Sequence, residues 1–156
     1  MQSNGLLSKL TPQKFHLLLG EVTSLLMVSK VHRKFQVRDI ADIIMPALNL
    51  NQFKIYRNKN KQPIGLVTWA RFSDAVEKEY LSGKVVLSES ELQSGNQIYI
   101  TDFIAPFGHT KKIIDDMLKT TFIKDEVNAI RFTEQGKSRK RLWKFYGVNY
   151  QKPTLH

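Results

Sequence analysis

His32 and Asp102 are the residues best suited by type and surroundings to move a proton. His32 falls in Ser29-Lys30-Val31-His32-Arg33, where an apolar periodic stretch ends and a loop can present a side chain. An imidazole there either works as an acid–base group, with a reference pKa of about 6.5, or simply meets the negative end of a helix dipole. Asp102 interrupts the apolar run Ile98-Tyr99-Ile100-Thr101-Asp102-Phe103-Ile104. A carboxylate in such a strand either points outward by alternation or faces a cleft and pairs with a histidine, because an unpaired buried carboxylate is costly. Of the other histidines, His16 sits inside a helical pattern and reads as a surface residue, and His156 is terminal.

Other chemistries lack their residues. The 156 residues contain no cysteine, which excludes disulfides, thiolate zinc sites and cysteine nucleophiles and fits a reducing compartment. There is no His-Glu-x-x-His, no clustered His/Asp spacing, no Walker loop and no Gly-x-Gly-x-x-Gly, so no metal site is expected. Gly-x-Ser-x-Gly is absent as well, which leaves serine-hydrolase chemistry without a foothold. Lys+Arg of 24 against Asp+Glu of 14 gives a net charge of +10 and predicts an acidic partner. Lys137, Arg139, Lys140, Arg141 and Lys144 are interleaved with and followed by Trp143, Phe145, Tyr146 and Tyr150. That pattern suits single-stranded nucleic acid, a solvated basic tail or a docking patch for an acidic protein, and residue types alone do not separate the three.

The elements that must position these residues are legible. Thr11-Pro12 starts a helix in which Phe15, Leu18, Leu19, Val22, Leu25 and Leu26 recur at helical spacing to about Ser29. A second helix is expected from about Val37 to Leu48, with Pro46 disturbing its last turn. The period then changes. Residues 52–57 and 63–70 read as a hairpin across the polar turn 58–61, and Ser73 caps a helix through Tyr80. Ser82 to Gly95 reads as loop, Gln97 to Ala105 as the richest strand, His109 to Phe122 as a helix and Val127 to Phe132 as a strand. The expected fold class is α/β (α+β), one domain over residues 1–156, with a mostly antiparallel central sheet and a basic, aromatic segment from about 136. No stretch has the basic start, apolar run and cleavage site of a signal peptide, and no apolar run nears the 18 or so residues of a membrane span. A cytoplasmic protein without stable membrane insertion is expected.

Several of these segments resemble one family. Ser29-Lys30-Val31-His32-Arg33-Lys34-Phe35 and Met45-Pro46-Ala47-Leu48 are similar to the Ser-x-x-His-Arg-x-aromatic and Leu-Pro-Ala-Ile segments of the RTX toxin-activating lysine acyltransferases. Thr101-Asp102-Phe103-Ile104-Ala105-Pro106-Phe107-Gly108 resembles that family's signature strand, Ile-Asp-Trp-Ile-Ala-Pro-Phe-Gly, and the likeness extends over about residues 17 to 133. The chain departs from the pattern at Ile43, where many members carry asparagine, and at Phe103, where they carry tryptophan.

The resemblance implies a GNAT-like acyltransferase fold. It implies transfer of a fatty acyl group from acyl carrier protein to internal lysines of an RTX protoxin, with no bound cofactor, and a catalytic pair of His32 and Asp102 supported by Ser29. The chemistry asks for such a pair. A lysine amine is neutral in only about one molecule in 2,500 at pH 7, so its attack on a thioester needs a proton acceptor. His32 is then either that base or a nucleophile, and Asp102 holds its tautomer. The amides of Phe107 and Gly108, before a helix, are candidates for the oxyanion or the acyl donor. Lys137, Arg139, Lys140, Arg141 and Lys144 are candidates for docking carrier or protoxin. Two other classes stay open: a CoA-dependent GNAT-type N-acetyltransferase, although the Gln/Arg-x-x-Gly-x-Gly/Ala loop is not evident, and a basic nucleic-acid module. The partners expected are acyl carrier protein and protoxin rather than nucleic acid, with a homodimer also open.

Overall fold

The computed structural model describes residues 5–131 and 141–155. Its frame is a five-stranded sheet of β1 (Phe53–Arg57), β2 (Pro63–Phe72), β3 (Gln97–Ile104), β4 (Glu126–Arg131) and β5 (Arg141–Tyr146), ordered as they follow in the chain. Every neighbouring pair is antiparallel except β3 and β4, which run parallel and are joined through helix α7 (Thr110–Thr120). Helices flank the sheet. This is the mixed architecture expected from the sequence and consistent with a GNAT-like fold. Phe132, Lys137, Arg139, Lys140 and His156 lie outside the described residues.

Preceding the sheet are α1 (Leu6–Lys9) and the long α2 (Pro12–Val28). Thr11 Oγ1 accepts from the Lys14 amide at 3.3 Å and Pro12 takes the first helical position, so the start of α2 is set by its cap. Its inner face buries Leu18, Val22, Leu25 and Leu26 against Ile44, Leu48, Leu66 and Ile104. Each fully buried aliphatic side chain contributes roughly 1.5–3 kcal/mol. The helix stops at Ser29, whose backbone is extended and whose amide still reaches the Leu25 and Leu26 carbonyls. A 3-10 turn, His32–Lys34, follows at once.

The second helix departs from expectation. It is broken into α3 (Val37–Asp39), a wide π turn (Ile40–Ile44) and α4 (Met45–Asn49). Pro46 was expected to disturb the last turn, and the disturbance lies on its N-terminal side instead. Proline offers no N–H and its ring crowds the carbonyl one turn back, so the chain widens before it. A second departure is α6 (Glu89–Leu92), inside the stretch read as loop. Ser88 accepts from the Glu91 amide at 3.2 Å while Glu91 reaches back to Ser88, a capping box on a helix too short to show periodicity. Helix α5 (Asp74–Leu81) is capped by Ser73 as expected.

The sheet has two dressed faces. On one, α7 covers Val67, Trp69, Ile98 and Val127 with Ile113 and Met117. On the other, α2 and α4 cover Leu66 and Ile104, while α5 and α6 cover Ala70, Phe72 and Tyr99. No helix among the described residues is long and apolar enough to cross a membrane.

Candidate active site

One irregularity in the sheet decides where Asp102 points. Strand β2 meets β3 in the register Leu66 to Ile104, Val67 to Phe103 and Thr68 to Asp102, and then shifts, so that Trp69 faces Ile100 and Thr101 is the extra residue. Ile98 and Ile100 pack on the α7 face and Tyr99 on the opposite one. Strict alternation from Ile100 would send Asp102 to the α7 face. The bulge at Thr101 turns it over, onto the face that carries Ile104 and receives α2.

The end of α2 supplies the partner. Because the chain leaves the helix at Ser29 and turns immediately, Ser29 and His32 stand three residues apart on one side of the turn. Ser29 Oγ lies 2.8 Å from His32 Nδ1, and His32 Nε2 lies 2.9 Å from Asp102 Oδ1. Thr68 Oγ1 donates to Asp102 Oδ2 at 3.1 Å and stands 2.8 Å from Thr101 Oγ1. The Phe35 ring packs edge-on against the imidazole, centroids 5.1 Å apart. His32 is 8% exposed and Asp102 7%, while Ser29 is half-buried.

This chain of contacts assigns the protons. An ionised carboxylate only accepts, so Nε2 carries the hydrogen that Asp102 receives. In the neutral ring the lone pair is then on Nδ1, where it accepts from the Ser29 hydroxyl. When Nδ1 takes a proton, it donates to Ser29 Oγ in turn. The arrangement can hold an imidazole in one tautomer, collect a proton at one defined atom and stabilise the cation against a fixed carboxylate. Tyr80 of α5 is buried close enough to feel that carboxylate. Burial, and then the negative charge of Asp102, push its phenol well above the ordinary range.

His32, Asp102 and Ser29 are therefore brought together across 70 residues of chain. Phe35 was marked only as the aromatic of the resembling segment, and Thr68 and Tyr80 were not singled out for the site, because a threonine in a strand and an aromatic in a core carry no mark. Phe107 and Gly108 lie in the loop between β3 and α7, and neither belongs to the hydrogen-bonded chain of His32. Gly108 has φ +89°, a conformation that requires glycine, and Phe107 is largely exposed. Next to them His109 buries an Nδ1 atom that has no hydrogen-bond partner among the described residues. Of the basic segment, Arg141 opens β5, and Lys144 is held by Glu126 at 2.8 Å, while Lys137, Arg139 and Lys140 lie outside the described residues. Strand β5 is two strands removed from Asp102, at the sheet's far edge. No group of three or more metal-ligating side chains occurs among the described residues.

Residues 11–146 match the RTX toxin acyltransferase family. The chain is 36% identical over 116 residues to the lysine-acyltransferase RtxC of Vibrio cholerae, covering 74% of this chain and 76% of that protein. It is 31% identical over 137 residues to the leukotoxin-activating lysine-acyltransferase LktC serotype T3 of Mannheimia haemolytica, covering 88% and 81%. An uncharacterized protein of Synechocystis sp. is 38% identical over 130 residues, covering 83% and 88%. With a match that runs from the cap of α2 to the last residue of β5, and so spans every element that builds the Ser29–His32–Asp102 line, the chain belongs to the RTX toxin acyltransferase family.

Proposed function

We propose that this protein transfers a fatty acyl group from acyl carrier protein to lysine ε-amines inside an RTX protoxin, in the cytoplasm, where the charged carrier is found. The observation that carries the chemistry is the line Asp102–His32–Ser29, in which Asp102 holds Nε2 and the basic lone pair on Nδ1 faces the Ser29 hydroxyl. Membership of the family and the lysine-acyltransferase names of its relatives support the acceptor. The missing CoA-type loop after β3 and the basic balance of the chain support a protein carrier over CoA.

His32 works as base rather than nucleophile in this reading. Both ring nitrogens are engaged, and a ring this buried has little room to carry an acyl group. The neutral lysine amine attacks the thioester carbonyl carbon, and a C–N bond forms. The ammonium proton passes to Nδ1 of His32, with the half-buried Ser29 hydroxyl as the hand-over group. Asp102 stabilises the resulting imidazolium. Collapse of the tetrahedral oxyanion breaks the C–S bond, and His32 returns the proton to the departing thiolate. The amides of Phe107 and Gly108, ahead of α7, are the proposed oxyanion donors.

Mass spectrometry of a protoxin fragment co-expressed with the protein tests this directly. Wild type is expected to add a long-chain acyl mass to specific lysines. His32→Ala and Asp102→Asn are expected to slow the transfer by roughly 10²–10⁴-fold, the usual range for a lost general base. Ser29→Ala is expected to cost less, because water can substitute for the hydroxyl. Unchanged modification in His32→Ala would refute the base assignment, and no modification with wild type and charged carrier would refute the function.

A further inference from the structure

The stretch that surrounds His32 has an unusual surface. Lys30, Arg33, Lys34 and Arg38 are all exposed, and the segment from Met27 to Arg38 contains four cations and no acid. None of the four forms an ion pair or a side-chain hydrogen bond to the rest of the described residues. Among them stand exposed aliphatics, with Val31 71% and Val37 85% accessible. These residues belong to the turn after α2, the 3-10 turn and α3, the elements that hold His32 in place. Lys30, just past the end of α2, meets the negative end of its dipole, while Arg33, Lys34, Arg38 and the two bare valines serve no pairing or packing role among the described residues. The described part of the basic segment singled out in the sequence, β5, is at the far edge of the sheet, and its Lys144 is already neutralised by Glu126.

Resting on the function proposed above, we infer that this collar is the docking surface of the acyl donor's carrier, an acidic protein face with apolar side chains between its carboxylates. The reaction has two substrates, and charge tells them apart. The acceptor brings a lysine that is an ammonium until it is deprotonated, and four like charges around the entrance repel it. An anionic carrier is attracted, which raises its encounter rate and orients it. The valines select a protein over the nucleotide of CoA, since a nucleotide offers phosphates to the cations but no aliphatic face for Val31 and Val37. His32 is sunk below the collar at 8% exposure, so the thioester must reach it on a thin arm while the carrier body stays on the rim. The same positive field favours the neutral form of the incoming amine, which is the form that attacks.

Steady-state kinetics with the full-length chain separate the two substrates. The probes are a bacterial acyl carrier protein charged with palmitate, palmitoyl-CoA, and a lysine peptide from an RTX protoxin. In Arg33→Glu/Lys34→Glu the KM for the charged carrier is expected to rise ten-fold or more, with kcat at saturating carrier and the KM for peptide within two-fold of wild type. Raising salt from 50 to 300 mM should weaken carrier use by wild type and barely affect the variant. Lys119→Glu/Lys124→Glu makes the same charge change at exposed positions around the end of α7, on the opposite face, and should leave the carrier KM within two-fold. Val31→Ser/Val37→Ser should raise the KM for the carrier and not that for palmitoyl-CoA.

The inference is overturned by an unchanged carrier KM in Arg33→Glu/Lys34→Glu. It is equally overturned by a rise in the peptide KM instead, which would give the collar to the acceptor, or by an equal effect of the Lys119/Lys124 control, which would reduce it to net charge. In each of these cases wild type still transfers palmitate to lysine and the proposed function stands. Failure of wild type to use the charged carrier removes both.

Discussion

At the residue scale, the behaviour of His32 is set by what occupies its two nitrogens. Asp102 takes the Nε2 hydrogen, so the basic lone pair is on Nδ1 and faces Ser29. Thr68 completes the arrangement from β2 by donating to the second carboxylate oxygen. Removing that donor in Thr68→Val, which preserves shape, leaves Asp102 one partner short and freer to turn. A hydrogen bond to a charged group is worth about 1.5–3 kcal/mol, so kcat is expected to fall by roughly ten-fold or more. The KM for the acceptor peptide should stay near wild type, and the kcat–KM split from initial rates checks this. The pairing of His32 with Asp102 was open in the sequence, because the outward and inward orientations of Asp102 differ only by the parity of a strand. The histidine at a helix end and the carboxylate in an apolar run were both legible as oddities. Thr68 was not, since nothing in its neighbours marks a strand threonine as a partner for charge.

At the element scale, α7 and β1 are tied by a small polar cluster away from the site. Lys54 Nζ lies 2.6 Å from Asp116 Oδ2, and Tyr56 Oη donates to the same oxygen at 2.5 Å. Burial alone would raise the Asp116 carboxyl, yet the hydrogen bonds from Lys54 and Tyr56 outweigh it and hold the group below its ordinary value. A carboxyl depressed in the folded state contributes stability that is complete above its unfolded pKa of about 3.9 and disappears as pH falls through the lower folded value. Urea midpoints should therefore drop between about pH 4 and pH 2, and Asp116→Asn should flatten that limb. At pH 7 the same substitution should cost roughly 0.5–1 kcal/mol, the scale of a partly exposed pair. Elements with strong periodicity or a clear cap, α2, α5 and α7, were readable from sequence nearly to the residue. The break before Pro46 and the one-turn α6 were not, because both are shorter than the window in which a period can be recognised.

At the scale of the whole molecule, the site exists because α2 is seated on β2 and β3. Leu25 is 1% exposed and is packed among Leu18, Val22, Ile44, Leu48, Leu66 and Ile104. Leu25→Ala should cost about 2–5 kcal/mol by the removed methyls and the cavity left behind. Because the same layer sets the distance from His32 to Asp102, acyl transfer should fall by more than the folded fraction accounts for. Denaturant midpoints measured beside kcat on the same samples check both. Residue order alone was enough for the class of the fold, the positions of the main helices and strands, the residue types able to move a proton and, through the resemblance of three short segments, the family. Those are local properties: caps, periods and the order of side chains along one strand. The packing of the chain alone turns Asp102 toward α2, since a single bulged residue at Thr101 reverses the parity of the strand. Only that packing decided that the uncompensated cations nearest His32 are those of residues 30–38, because charge counted along a chain does not say which acids fold back to neutralise it.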